Sequence, residues 1–227
     1  MPHPPAFHAA IYEQFARIAK AIANQKRLEL LDLLAQSERT VEALAQEAGL
    51  SVANASQHLQ ILRAARLVET EKHGLFVTYR IADPLVQDLV STVRLLAERR
   101  LAEVEQITRR FLAGRVGLEP VDRETLLERV RRGEVTVIDV RPEQEYQAAH
   151  LAEAISVPLP ELEHHLPELP RTRDIVAYCR GPYCVLAVEA VERLRARGYR
   201  AVRLEYGVPE LQAHGFSIVG GDAPSPR

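Results

Sequence analysis

The chain has 227 residues, 47% hydrophobic and 26% charged, with a formal net charge of -2. This is the make-up of a soluble globular protein with room for one large core or two ordinary ones, and the near-neutral balance gives no chain-wide sign of nucleic-acid binding. No apolar run nears the ~18 residues of a membrane span, and the opening MPHPPAFHAA lacks the basic stretch and apolar run of a signal peptide, so a cytoplasmic protein with no membrane contact is expected.

Residues 1–112 are mostly helical in pattern. Apolar residues recur at three- and four-residue spacings through FARIAKAIANQKRLELLDLLAQ, which predicts helices over about 11–20 and 24–36. Thr40 is placed to cap a short helix, VEALAQEAG, ended by Gly49, and Ser51 to cap the next, VANASQHLQILRAA. Two short helices across a tight glycine-containing turn form a helix-turn-helix. The second offers Asn54, Ser56, Gln57, His58 and Gln60. These hydrogen-bonding, mostly uncharged side chains suit base edges and phosphate oxygens in a major groove. The alternative is a merely solvated polar face. LVETEKHGLFVTYRIA then alternates and turns at Lys72-His73-Gly74, a hairpin with a basic tip and Arg80 on its return strand. Such a tip beside a reading helix makes a wing against the DNA backbone. From Ser51 to Arg80 there are four Lys/Arg against two Asp/Glu, so this face is locally positive. A last helix covers 83–112. AGRVGLEP (113–120), with two glycines and a proline, then breaks the period and reads as a linker.

Beyond it the texture changes. VTVID (135–139) and DIVAYC (174–179) are short strand-like runs alternating with RETLLERVRRG and AVEAVERLRARG. This predicts an α/β domain over 121–220 with a mostly parallel sheet, followed by a flexible tail at 221–227. The segment YCRGPYC (178–184) holds both cysteines of the chain. In a reducing compartment such a pair does not read as a structural staple. Cys179 ends a strand, Arg180, Gly181, Pro182 and Tyr183 curl back, and a helix begins about Cys184–Val185. Inward N–H groups and the helix dipole favour a thiolate, with a pKa below the free value of about 8.5. Such a thiolate can accept a sulfane sulfur and hold it as a persulfide. Cys184 could then attack it, leaving a disulfide or a sulfur-bridged link. The alternatives are an inert core cysteine at 179 and a small packing residue at 184. No zinc-type ligand spacing is present, so no metal and no cofactor is expected.

Two family resemblances cover most of the chain. ANQKRLELLDLL, then VEALAQEAGLSVANASQHLQILRAARLV, then the hairpin with Tyr79, resemble the ArsR/SmtB-type winged-helix repressors over about 11–110. The resemblance implies a homodimer, held by the first and last helices, reading a pseudo-palindromic double-stranded DNA operator. The family often has glycine where Arg66 stands, so a different end to the reading helix is expected here. The usual metal-sensor ligands are missing: VEALAQEA has no Cys or His, and no His lies between Pro84 and Leu112. The signal must enter elsewhere.

From Val121 to Gly220 the chain resembles a single rhodanese domain. The matching segments are IDVRPEQEY with Asp139, Arg141 and Glu145, HLAEAISVP with Ala152 and Glu153 in place of Pro and Gly, YCRGPYC, and EYGVPELQAHGF. The resemblance implies Cys179 as nucleophile. The catalytic group expected around it is Arg180, Cys184, Asp139 and Arg141, with Gly181, Pro182, Tyr183 and Val185 lining the substrate loop. Thiosulfate-using members commonly carry Arg where Cys184 stands, and Pro182 removes one amide donor. Both changes weaken binding of a dianion, so persulfides or polysulfides are the expected donors and thiosulfate turnover is expected to be weak. The whole reads as a multidomain chain: a mainly-α winged helix-turn-helix repressor whose α/β rhodanese-like half senses reactive sulfur. Two readings compete with it: a regulator-fused sulfurtransferase enzyme, and a repressor whose second domain only binds a ligand or partner.

Overall fold

The computed structural model describes residues 5–73, 76–113, 115 and 123–220. The expected hairpin tip at Gly74, most of the expected linker and the expected tail at 221–227 lie outside the described residues. The chain forms two compact units, residues 1–102 and 103–227.

The first unit runs α1 (Pro5–Ile22), α2 (Gln25–Leu34), β1 (Arg39–Thr40), α3 (Val41–Glu47), α4 (Val52–Ala64), β2 (Val68–His73), β3 (Phe76–Ile81) and α5 (Pro84–Arg100). Thr40 and Ser51 cap as their side chains suggest: their hydroxyl oxygens accept from the Ala43 and Asn54 amides, each at 3.3 Å. Asn24 does the same for α2, accepting from Lys26 and Arg27. Leu30, Leu31, Leu44, Leu59 and Leu62 are almost wholly buried and join α2, α3 and α4 into one core. The hairpin pairs antiparallel, and β1 adds a third strand in the order β1-β3-β2, with Arg39 opposite Tyr79. A two-residue strand is too short to carry an alternation signal, so no residue pattern announces it.

Two expectations need correction. The helix expected over 83–112 is two helices: α5 stops at Arg100, Leu101 is extended (φ -114°, ψ 102°), and α6 (Ala102–Leu112) follows. Asp83 lies outside α5 as its cap, accepting from the Leu85 amide at 2.8 Å, with Pro84 in the first turn, where its missing N–H is harmless. No glycine or proline marks the break at Leu101. The end of α4 is also unlike the expectation. Arg66 adopts φ +60°, the Arg66 amide donates to Arg63 O and the Leu67 amide to Leu62 O, so the helix closes just as it would with glycine. Tertiary packing of Leu67 and Val68 overrides the local preference of arginine.

The second unit contains α6, then α7 (Arg123–Arg131), β4 (Thr136–Asp139), α8 (Glu143–Ala148), β5 (His150–Leu151), β6 (Ile155–Ser156), α9 (Leu162–His165), β7 (Ile175–Tyr178), α10 (Val185–Ala196), β8 (Ala201–Arg203), α11 (Val208–Ala213) and β9 (Ile218–Val219). The main sheet has the order β6-β4-β7-β8 and is parallel throughout; β5 and β9 form a separate antiparallel pair. All four residues of the central β7 are buried, as a strand covered on both faces requires. Its side chains divide between two cores: Ile175, Ala177 and Cys179 with α10 on one face, Val176 and Tyr178 with Leu204 and Leu211 on the other.

Candidate functional site

Two sites emerge, one in each unit. On α4, Ala55, Leu59 and Leu62 point inward at helical spacing. Asn54, Gln57 and Gln60 lie on the exposed side, and Ser56 and His58 are half-buried. His58 Nδ1 is buried, with no hydrogen-bond partner among the described residues. Ser51 stands exposed at the cap. In the hairpin, Lys72 is exposed and His73 closes β2, so the strand runs further toward the tip than expected. Arg80 is placed differently from a free phosphate ligand: across the strand pair it meets Glu69 at 2.9 Å and Glu71 at 3.8 Å. Large apolar side chains stand uncovered on the same unit: Phe7, Tyr12 and Phe15 on α1, and Leu85, Leu95 and Leu96 on α5.

In the second unit β7 delivers Cys179 to the C-terminal end of the sheet, and α10 starts at Val185 with Cys184 as its cap residue. Gly181 has φ 143°, a backbone conformation open to glycine alone, and the Cys184 amide donates to Gly181 O at 3.2 Å. This tight return brings the two cysteines to a Cα–Cα distance of 6.2 Å, and they are joined as a disulfide. Cys179 is buried and Cys184 half-buried, while Tyr183 and Val185 stand 46% and 43% exposed and form an apolar rim.

The charged residues expected at this site are grouped otherwise. The Arg141 guanidinium grips Asp139 through Nε and Nη2 at 2.6–3.1 Å and also donates to Ala149 O. Both are buried. By strand alternation Asp139 shares the sheet face of Tyr178, opposite the Cys179 side chain. Burial would lower the Arg141 pKa, but the hydrogen bond to Asp139 keeps it raised. Burial, then the Asp139 charge, hold the Tyr178 hydroxyl far above its ordinary value; its oxygen accepts from the Leu151 amide. These contacts form a buried clamp at the end of β4. Arg180 donates to both oxygens of fully buried Glu145 at 3.0 Å.

Two residues outside the loop hold it, and the sequence reading singled out neither. Arg203, at the end of β8, donates to Pro182 O at 2.8 Å and also holds Glu205. Gly207 runs so close to the loop that a Cβ there would meet Arg180 O at 2.5 Å. The loop is thus pinned from outside through its own carbonyls.

A winged helix-turn-helix with a polar, exposed second helix defines the DNA-binding class of the first unit, and a parallel sheet ending in a cysteine loop defines the rhodanese-like class of the second. Comparison with known proteins agrees. The model for bacterial regulatory proteins of the arsR family matches residues 24–70, and that for rhodanese-like domains matches 122–214. An HTH-type transcriptional regulator of Mycobacterium tuberculosis is 44% identical over 213 residues, covering 94% of this chain and 93% of that protein. The chain belongs to the arsR family of bacterial transcriptional regulators, in a form that carries a C-terminal rhodanese-like domain. A sulfurtransferase of Allochromatium vinosum is 30% identical over 101 residues, covering 44% of this chain and 92% of that one. The solution structure of a homodimeric winged helix-turn-helix DNA-binding domain from Mycobacterium bovis is 42% identical, covers 44% of this chain and 94% of its own, and has a TM-score of 0.42. No helix among the described residues is long and apolar enough to cross a membrane.

Proposed function

We propose that this transcriptional regulator is a repressor that binds a double-stranded DNA operator as a homodimer, through residues 1–112, and senses reactive sulfur through residues 121–220. The observation that carries the sensing half is the Cys179–Cys184 bond within one six-residue loop. The Cys179 thiolate attacks the outer sulfur of a persulfide RS–SH; RS⁻ leaves and Cys179–S–SH forms. The Cys184 thiolate then attacks the Cys179 sulfur, HS⁻ leaves, and the disulfide remains. Two thiols are oxidised and one sulfane sulfur is reduced to sulfide. The charges nearest the loop favour such a donor over thiosulfate: Arg180 is committed to Glu145 and Arg203 to Glu205, and the rim residues Tyr183 and Val185 are apolar. The DNA-binding half rests on exposed Asn54, Gln57 and Gln60 and half-buried His58, with Lys72 on the wing. The uncovered apolar side chains of α1 and α5 are what a homodimer would bury.

Mass spectrometry of the 178–184 peptide after polysulfide treatment, run beside DNA binding, tests this. The parent protein should gain the internal link and change its DNA affinity together. Cys179→Ser should keep basal DNA binding and lose the response. Cys184→Ser should stop at the persulfide and leave DNA affinity unresponsive. A Cys179→Ser protein that still responds to polysulfide would overturn the assignment. A second reading, sulfur transfer to an acceptor as the main activity, draws on the likeness to the Allochromatium sulfurtransferase. It gains if Cys184→Ser transfers sulfur to cyanide slowly or not at all.

A further inference from the structure

The charges of the rhodanese-like half are sorted by position. Strands β4, β7 and β8 run parallel, so the segments that precede them lie at one end of the sheet and the cysteine loop at the other. Those segments are RVRRGE (129–134), RTRD (171–174) and RARGYR (195–200). They carry eight of the fifteen arginines in residues 114–227 and only two of the eighteen carboxylates. Elsewhere in that stretch the balance is strongly acidic. A half with a net negative charge therefore carries one basic pole.

The pole is held together by the backbone. Arg171 donates to Arg197 O at 3.2 Å, Arg173 to Gly133 O at 3.5 Å and Arg200 to Thr172 O at 3.0 Å. Carbonyl bonds of this kind orient a guanidinium without cancelling its charge, and each uses only one of its five donors. Four carboxylates meet these eight arginines: Asp174 bridges Arg129 and Arg200, Glu134 faces Arg129 and Arg132, Glu128 pairs with Arg132 at 3.2 Å and Glu163 with Arg197 at 2.8 Å. The Arg129 hydrogen bond keeps the Asp174 pKa below the usual carboxylate range. Arg171 and Arg173 are exposed, and the Arg200 side chain is 68% exposed.

We infer that this pole is a second DNA-contacting surface, which binds phosphates of the duplex without reading its sequence. Planar arginine forks spread over three adjacent segments match a row of phosphate oxygens, whereas a soluble α/β domain needs no such segregation for its fold. The inference rests on the DNA binding proposed above, and it assigns the rhodanese-like half a direct share in affinity.

The test uses the full chain, a duplex operator selected by it from random sequence, and a scrambled duplex of equal length. Arg171→Gln, Arg173→Gln and Arg200→Gln are combined, and a matching triple change to lysine keeps the charge. Thermal melting confirms that both are folded. The glutamine protein should lose affinity for both duplexes by the same factor. Its slope of log affinity against log salt should fall by about 0.9 for each phosphate contact removed, and the lysine protein should recover most of it. A folded glutamine protein with the parent slope overturns the inference, as does a lysine protein as weak as the glutamine one. Lys72→Gln separates the two levels of the argument. If it lowers the slope while the arginine changes do not, the pole alone is wrong; if the parent chain binds neither duplex, the proposed function falls and the pole with it.

Discussion

The two halves place their working residues in opposite ways. The winged half sets its candidate residues on the outside of α4, where helical spacing alone separates Asn54 and Gln57 from buried Ala55 and Leu59. The rhodanese-like half holds two cysteines at a strand end and fixes the loop between them from beneath, through buried Glu145, and from the side, through Arg203 and Gly207. A surface reader needs only a helix and its cap. A reactive loop needs long-range partners for its charges and carbonyls. Changes in the first half should therefore alter recognition with little loss of stability, and changes in the second should couple stability to chemistry.

That contrast is most exposed at Asp139. Asp139→Asn leaves the buried Arg141 charge without its partner and should cost about 3–5 kcal/mol. In urea, the transition of the rhodanese-like half should move to lower concentration while that of the winged half stays in place. If both move together, the halves are not independent. Gly207→Ala comes next. Its Cβ would press on Arg180 O, and the strain should cost about 1–3 kcal/mol. The rate at which the reduced Cys179–Cys184 pair re-forms its link should change with it; an unchanged rate would show that the loop does not feel its outer support.

Alkaline pH sharpens the comparison further. The folded-state pKa of Tyr178 is raised, so its contribution is fully present below the unfolded tyrosine pKa of about 10. It is lost as pH rises toward the folded value, at up to about 1.4 kcal/mol per pH unit. The rhodanese-like half should weaken above pH 10 by denaturant titration, and Tyr178→Phe should remove most of that limb, leaving the smaller share of Tyr146, whose pKa burial also raises. The smallest effect is expected in the winged half. Arg66→Gly relieves a left-handed backbone and should add about 0.5–1 kcal/mol, seen as a higher melting temperature with DNA preference unchanged. A destabilised Arg66→Gly protein would mean that the arginine side chain holds the turn.

Much of this molecule was legible in its sequence because the signals are local. Helical periods, the caps at Thr40 and Ser51, the alternating wing and the strand-loop-helix around Cys179 depend on residues three or four apart. The outward face of α4 followed from its spacing, and the place of both cysteines in one loop made a link between them one of the open readings. Other features depend on which distant residues the fold brings together. Glu145 takes Arg180 from 35 positions away, and Arg203 reaches Pro182 across the β7–β8 crossover. The same holds where local preference was overruled, as at Arg66, which accepts a glycine's backbone because Leu67 must enter the core. Sequence alone therefore determined the two domain classes, the main helices of the winged half and the central strands of the rhodanese-like half, and it proposed the candidate residues. Tertiary structure decided the partner of each charge, because a buried guanidinium goes to whichever carboxylate and carbonyls the sheet topology sets around it.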